Sequence, residues 1–202
     1  MSFLKKLLHS PPDKKEITIV SGLPRSGTSM MMQMLEAGGM EVVTDNLRKA
    51  NQDNLKGYYE FERVKKIAQD NSWLDECRGK AVKIISMLLY HLPPGRKYKI
   101  LFLRRNMEEM LASQKVMLER RGEQGDSISD EMMAEKFEKH LRQIEHWIAD
   151  RDDIDMLHIK YNEIIEDPNL HANVVNQFLG GLLDEKKMAK VVEDSLYRQR
   201  KN

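Results

Sequence analysis

The chain has 202 residues, 41% hydrophobic and 32% charged, a balance typical of a globular protein with a real core. Its formal net charge is only +1, so no overall basic field attracts nucleic acid or a membrane surface. Any anionic ligand must therefore be held by a local cluster. The single cysteine, Cys77, excludes an intramolecular disulfide and a cysteine-based metal site. We expect one domain over residues 1–202, with residues 1–15 as a loosely attached N-terminal segment.

Phe3, Leu4, Leu7 and Leu8 of the N-terminal segment can form two amphipathic turns, but Lys5 and Lys6 interrupt any apolar core of a signal peptide. No apolar run approaches the roughly 18 residues that a membrane-spanning helix needs. We therefore expect a cytoplasmic protein with neither membrane nor nucleic acid as a partner. Its assembly is left open between a monomer and a homodimer.

Short apolar and β-branched runs along the chain predict five strands. They cover residues 17–20, 40–44, 81–85, 98–103 and 156–159. Apolar residues at helical spacing predict helices after residue 27, over about 107–118 and 133–148, and after residues 167 and 184. Strands that alternate with helices predict an α/β fold of three layers, with a mostly parallel central sheet of about five strands flanked by helices. Ligands of such sheets bind at the carboxyl ends of the strands.

The segment 22–29 (GLPRSGTS) follows the first predicted strand and begins a predicted helix. Glycines let its backbone N–H groups turn inward onto an anion, and the helix N-terminus adds partial positive charge. The alternative is a strand–turn–helix corner with incidental glycines, which leaves three side chains of anion-binding type in one loop unexplained. The sequence therefore predicts a phosphate-binding loop formed by Gly22, Pro24, Arg25, Ser26, Gly27, Thr28 and Ser29.

The loop departs from the nucleotide-hydrolase pattern GxxxxGK[ST] because Thr28 stands where the lysine belongs. Kinases and hydrolases of that type use the lysine on the terminal phosphates and an acidic residue after a second strand for magnesium. Here the strand at 98–103 is followed by Arg104 and Arg105. Both features disfavour magnesium-dependent phosphoryl transfer, and no metal site is predicted.

Residues 24–29 (PRSGTS) resemble the 5′-phosphosulfate loop of P-loop sulfotransferases. The form with arginine is similar to that of tyrosylprotein sulfotransferases and of small bacterial members of the family. The resemblance implies transfer of a sulfuryl group from 3′-phosphoadenylyl sulfate (PAPS) to a hydroxyl or amine acceptor, with adenosine 3′,5′-bisphosphate (PAP) as product and no metal. It also implies a 3′-phosphate site, which such enzymes build from an arginine after a strand and a serine eight residues on. Arg105 and Ser113 match that interval, and Arg104 is the alternative to Arg105.

The resemblance extends over most of the chain. The segment 56–60 (KGYYE) is similar to a Gly-aromatic-Glu segment of bacterial relatives, and residues 161–168 are similar to a Tyr-Glu-x-Leu…Asp-Pro stretch of the family. The proline that often follows the lysine of the third strand is absent, and the chain is short beside cytosolic sulfotransferases. Two other hypotheses therefore stay open: a P-loop kinase or nucleotide hydrolase, and a non-catalytic nucleotide-binding module.

Sulfuryl transfer needs positive charge on the departing phosphate oxygen. Arg25 is predicted to supply it. Lys83 stands on the third strand, where related enzymes carry a lysine near the transferred group, and its alternative is a surface lysine at a strand end. Arg198 and Arg200 either fold over the nucleotide or form a solvated basic tail.

The transfer also needs a base for the acceptor's proton. The candidates are Asp45, Glu60, Glu62 and His91. Asp45 lies at the carboxyl end of the second predicted strand, close to where tyrosylprotein sulfotransferases place a catalytic glutamate. Each candidate has a structural alternative: Asp45 as a turn or helix cap, Glu60 as a charge at a helix N-terminus, and His91 as a helix-end residue. The acceptor is left open among a small alcohol, a phenol, a sugar and a peptide.

Overall fold

A computed structural model describes residues 16–45, 47, 57–122 and 128–193. The strands are β1 (Ile17–Gly22), β2 (Val42–Val43), β3 (Ala81–Lys83), β4 (Tyr98–Arg104) and β5 (Ile154–Lys160). The α-helices are α1 (Thr28–Ala37), α2 (Met107–Arg121), α3 (Asp130–Ala149), α4 (Tyr161–Glu166), α5 (Pro168–Phe178) and α6 (Glu185–Lys190). Shorter 3₁₀ helices cover Glu62–Lys66, Ser72–Cys77 and Ser86–His91.

The strands form one sheet in the order β2-β3-β1-β4-β5, and all its neighbouring pairs run parallel. This confirms the predicted α/β class with a central parallel sheet and flanking helices. The central strand β1 is buried at all six of its positions, which fits its apolar and β-branched sequence. Its last paired residues lie beside Lys83 of β3 on one side and Leu103 of β4 on the other. The loop after β1 is therefore flanked by the carboxyl ends of β3 and β4.

Successive residues of the strands face opposite sides of the sheet, so each strand contributes to two cores. On one side Ile19 and Phe102 pack with the apolar stripe of α3 and with the 3₁₀ helices. On the other side Val20 and Leu101 pack with the methionines of α1 and with α5. Both faces of the sheet are thus covered, which is the three-layer arrangement that the sequence predicts.

The edge strand β2 is shorter than the predicted 40–44 because it pairs only with β3, through Val42 and Val43. The next two residues turn to a different partner: the Thr44 hydroxyl and the Asp45 N–H both donate to the Glu60 carbonyl, at 3.0 and 3.2 Å. Strand β3 likewise ends earlier than predicted, at Lys83, before the 3₁₀ helix Ser86–His91.

Helix α4 was not predicted, and α5 begins as predicted. Asp167 caps α5 by accepting from the Leu170 N–H at 2.9 Å, with Pro168 in the first turn.

In the described part of the chain, each helix is too short or too polar to cross a bilayer.

We expect Leu101→Ala to lower the free energy of unfolding by about 2–5 kcal/mol, because it removes a fully buried side chain from the strand between β1 and β5. The matched control is Leu182→Ala, the same change at a side chain that is 68% exposed, which should cost no more than about 0.5 kcal/mol. Urea unfolding of both variants measures the difference. Equal losses would contradict the described core.

Candidate functional site

The phosphate loop follows the carboxyl end of β1 and adopts a backbone that few residues tolerate. Gly22 and Gly27 have φ angles of +149° and +99°, and Arg25 has φ +68°. The Ser26 N–H donates to the Leu23 carbonyl at 3.2 Å, which closes the turn. Gly27 then caps α1. The first N–H groups of an α-helix lack intrahelical acceptors, so the start of α1 offers donors to an anion.

Both glycines are required by space as well as by backbone angle. A Cβ atom on Gly22 would lie 2.6 Å from the Leu103 carbonyl oxygen, and a Cβ on Gly27 would lie 2.3 Å from Cδ2 of Tyr161. Real Cβ contacts are not this short. The loop is therefore pressed against β4 on one side and against the first residue of α4 on the other.

Arg105 supports the loop from inside the protein. Its Nε lies 3.4 Å from Oε2 of Glu109, and the two side chains are only 8% and 6% exposed. Its guanidinium carbon lies 4.9 Å from the ring centre of Tyr161, and its NH1 donates to the Arg25 carbonyl at 3.3 Å. Asn162 donates to the same oxygen of Glu109 at 3.5 Å. This network holds the backbone of the loop at Arg25, its one non-glycine residue with positive φ.

Arg25 and Ser113 meet directly, because Nε of Arg25 donates to the Ser113 hydroxyl oxygen at 3.0 Å. The structure thus brings Arg25, Arg105 and Ser113 together beside the loop. In this arrangement Ser113 contacts Arg25, while Arg105 contacts Glu109. A phosphate shared by Arg105 and Ser113 stays a prediction. The side chains fit an anionic group, since Arg25, Thr28 and Ser29 add donors to those of the helix start.

A pocket of about 310 Å³ opens on the β4 side of the loop. Leu23 and Ser26 of the loop line it, together with Arg104, Arg105 and the facing side of α3. Ser26 is buried, and its hydroxyl has no hydrogen-bond partner within the described residues. Arg104 forms an ion pair with Glu145 of α3. Both arginines therefore face the same pocket, so the geometry leaves the alternative between them open.

The β3 side of the loop is covered by residues 57–60. The carbonyl of Tyr58 accepts hydrogen bonds from Nζ of Lys83 and, at 3.4 Å, from the Ser29 hydroxyl. Tyr59 donates its hydroxyl to Glu36 at 2.5 Å, and burial together with that carboxylate raises the pKa of Tyr59. Lys83 is thus held close to Ser29 of the loop, on the side opposite the pocket. Its role in the reaction stays a prediction.

The predicted bases differ in how their side chains are placed. Asp45 accepts backbone N–H groups on both carboxylate oxygens, from Leu47 at 3.0 Å and from Glu62 at 2.6 Å. This is the capping arrangement that was its structural alternative. The carboxylate of Glu62 pairs with Lys65, and His91 is exposed at the end of its 3₁₀ helix. The Glu60 carbonyl, as described above, accepts from Thr44 and Asp45. Catalytic roles for Asp45 and Glu60 stay predictions.

Comparison with known proteins identifies the family. A family model described as a sulfotransferase domain matches residues 15–202. The chain belongs to the sulfotransferase domain family. Comparison with curated protein sequences found no match.

Solved structures with the same fold include sulfotransferase domains. The sulfotransferase domain from the Synechococcus PCC 7002 olefin synthase is 14% identical with a TM-score of 0.54, covering 95% of this chain and 81% of that one. The sulfotransferase domain from the curacin biosynthetic pathway is also 14% identical with a TM-score of 0.54, and the match covers 92% of this chain and 79% of that one. Retinol dehydratase, solved with androsterone and inactive cofactor PAP, is 17% identical with a TM-score of 0.51. That match covers 90% of this chain and 64% of that one. These matches support the P-loop-type sulfotransferase fold.

Sequence reasoning missed two residues whose contacts only the structure reveals. Glu109, the partner of Arg105, follows it by four residues at the start of a helix, a spacing at which opposite charges meet. His140 interrupts the apolar stripe of α3 between Phe137 and Ile144, and its ring contacts Ser86 just after β3. Arg198, Arg200, Lys56 and residues 1–15 lie outside the described residues.

We expect Gly27→Ala to lower the free energy of unfolding by about 3 kcal/mol or more, because a positive φ angle costs about 1–2 kcal/mol and contact with Tyr161 adds to it. Gly39→Ala is the matched control, since Gly39 has nearly the same φ, +98°, with nothing within 4 Å of its Cβ position. Urea unfolding separates the steric part from the backbone part. Similar losses in the two variants would show that Tyr161 does not press on the loop.

Proposed function

We propose that the protein transfers a sulfuryl group from PAPS to a hydroxyl or amine acceptor and releases PAP, without a metal. The observation that carries the proposal is the loop itself. It has Thr28 in place of the lysine of nucleotide hydrolases, and Arg25, Ser113 and Arg105 lie together beside it. Retinol dehydratase, a protein of the same fold, has been solved in complex with PAP.

In this proposal the phosphate loop holds the 5′ end of the nucleotide. The N–H groups at the start of α1 and the Thr28 hydroxyl bind phosphate oxygens. The Ser29 hydroxyl joins them by leaving the Tyr58 carbonyl, to which it donates over a long 3.4 Å. Arg25, held by Ser113, neutralises charge that develops on the oxygen between phosphorus and sulfur. The pocket on the β4 side, next to Arg104 and Arg105, accommodates the remainder of the nucleotide and its 3′-phosphate.

The transfer itself requires few bond changes. The acceptor oxygen or nitrogen bonds to sulfur while the bond between sulfur and the bridging oxygen breaks, and PAP leaves with that electron pair. The acceptor's proton passes to a base. Lys83 adds positive charge from the β3 side, where it shares the Tyr58 carbonyl with Ser29.

We expect PAP to raise the melting temperature without metal, and ATP with magnesium to raise it little or not at all. The physical reason is that the site lacks the P-loop lysine and has Arg104 and Arg105 where a magnesium ligand would stand. At about 100 times its dissociation constant a ligand adds roughly 2.7 kcal/mol, which a thermal-shift assay detects easily. Stronger stabilisation by ATP with magnesium would favour a kinase or hydrolase.

A further prediction tests the 3′-phosphate site. Arg105→Ala should weaken PAP binding about 10- to 150-fold more than it weakens binding of adenosine 5′-phosphate, because it removes a charged hydrogen bond to a group that only PAP carries. Loss of its support for the loop at Arg25 affects both nucleotides alike. Ser113→Ala should lower the affinity for PAP less, because the Ser113 hydroxyl that it removes is a neutral donor. Calorimetric titration of both variants with both nucleotides measures the ratio of their dissociation constants for PAP and adenosine 5′-phosphate.

Arg104→Ala is the matched control in that experiment, as it removes a neighbouring arginine that faces the same pocket. Because Arg105 pairs with a buried carboxylate, the unfolding of each variant is measured as well. If Arg104→Ala loses the discrimination between PAP and adenosine 5′-phosphate, the assignment shifts by one residue. If neither arginine matters, the 3′-phosphate lies elsewhere.

A further inference from the structure

Beyond the end of β3 the structure contains a serine–histidine pair that the proposed function has not used. The Ser86 hydroxyl oxygen lies 3.0 Å from Nε2 of His140. Ser86 begins the 3₁₀ helix three residues after the last residue of β3, and it is fully buried. The Ile84 N–H still donates to the Val20 carbonyl at 3.1 Å, so this segment stays beside β1 to within two residues of the phosphate loop.

Helix α3 brings His140 to this place. Its apolar stripe, including Phe137 and Leu141, packs in the same core as Leu23 of the loop and Ile84 after β3. The imidazole is also flanked by Tyr90 of the 3₁₀ helix, with ring centres 6.1 Å apart at a steep angle. The ring is therefore fixed on two sides while remaining half-buried rather than enclosed.

The hydrogen bonds around Ser86 indicate which nitrogen of His140 can accept a proton. Ser86 has one hydroxyl proton and lies 3.5 Å from the sulfur of Met87, to which it can donate. In that arrangement Ser86 accepts from the Nε2–H of His140, and Nδ1 keeps its lone pair. Nδ1 has no hydrogen-bond partner among the described residues. A neutral imidazole of this tautomer is a competent base.

The surroundings of His140 favour the neutral ring. Burial lowers its pKa below the ordinary value, and no neighbouring charge contributes to the shift. The titratable group that faces it from the 3₁₀ helix is Tyr90, whose own pKa burial raises, so the phenol stays neutral. At the end of β3 the charged group is Lys83, which is held by the Tyr58 carbonyl. Next to His140 on α3 itself is Lys139, which is exposed.

The order of the strands separates two sides of the phosphate loop. Arg105 and Ser113 follow β4 on one side of β1, together with the pocket. Lys83, Ser86 and His140 belong to the β3 side. A nucleotide that occupies the loop and the β4 side leaves the β3 side for the acceptor, and a base for the acceptor's proton belongs there.

We propose that His140 is the base that takes the acceptor's proton, and that Ser86 is the positioning residue that orients its ring. The proposal rests on the proposed sulfuryl transfer. As the acceptor oxygen bonds to sulfur and PAP departs with the electron pair of the broken bond, the acceptor's proton passes to Nδ1 of His140. The resulting imidazolium releases the proton to water after the products leave.

Nuclear magnetic resonance of the imidazole groups tests this without knowledge of the acceptor. PAP and PAPS differ by the sulfuryl group, whose negative charge extends toward the acceptor side. We expect the ring signals of His140 to differ between the two complexes, with a pKa higher by about 0.5 in the PAPS complex. His146 is the internal control, because it lies on the same helix with 85% of its side chain exposed and should not respond.

The outcomes separate the two proposals. If neither nucleotide binds, the proposed function fails, and the role of His140 fails with it. If both bind and His140 responds no more than His146, the sulfuryl transfer stands and the base is another residue.

Kinetics with acceptors of different acidity provide the second measurement. His140→Gln should lower kcat by about 100-fold or more with an aliphatic alcohol but by less than 10-fold with 4-nitrophenol, which is largely ionised at pH 8 and needs no base. PAP affinity should be unchanged, which verifies that the variant folds. Ser86→Ala should show the same pattern more weakly, and His146→Gln should match the wild type. An equal loss with both acceptors would show that His140 acts in structure or binding rather than as a base.

Discussion

The buried ion pair between Arg105 and Glu109 is the interaction on which the rest of the site depends. Charges this deeply buried are costly unless they are paired and hydrogen-bonded, and removal of one partner typically costs about 3–5 kcal/mol. Here the remaining donors and acceptors are used to hold other parts of the site. Arg105 binds the carbonyl of Arg25, and Asn162 binds Glu109. The strained backbone at Arg25 is thereby fixed by Arg105, just after β4, and by groups on α2 and α4 rather than by the loop alone.

The same interaction determines what kind of positive charge the loop offers. Because Arg105 is neutralised by Glu109, it contributes directed hydrogen bonds more than net charge. The net attraction for an anion comes instead from Arg25 and from the start of α1. Ser113 orients Arg25 through a hydrogen bond to Nε, which leaves the guanidinium aligned beside the loop. This separation of roles between Arg105 and Arg25 suits a reaction in which charge develops on one oxygen, because an oriented arginine stabilises that charge without rearrangement.

How much the sequence could predict differs between the loop and its surroundings. The strands, the loop and the capped start of α5 follow from local patterns of apolar residues, glycines and a proline, and the structure contains them. Asp45 illustrates the limit. Its place after β2 was correct, yet the carboxylate is engaged by the N–H of Glu62, a contact across 17 residues that no local pattern encodes. His140 illustrates the converse, since its position in an apolar stripe predicts only a core residue. Its partner Ser86 is 54 residues away, and only the packing of α3 brings them together.

The position of α3 explains why one helix can serve both sides of the site. Residues on opposite sides of a helix differ by about two positions in sequence, since 3.6 residues make one turn. Glu138 and Arg142 therefore face the pocket on the β4 side, while His140, between them in sequence, faces Ser86 on the β3 side. The apolar residues Leu141 and Ile144 fix the rotation of the helix in the core between these two faces. A change that rotates α3 would thus disturb the pocket and the Ser86–His140 pair together, so under the two proposals the core of this helix sets the geometry of both the nucleotide side and the acceptor side.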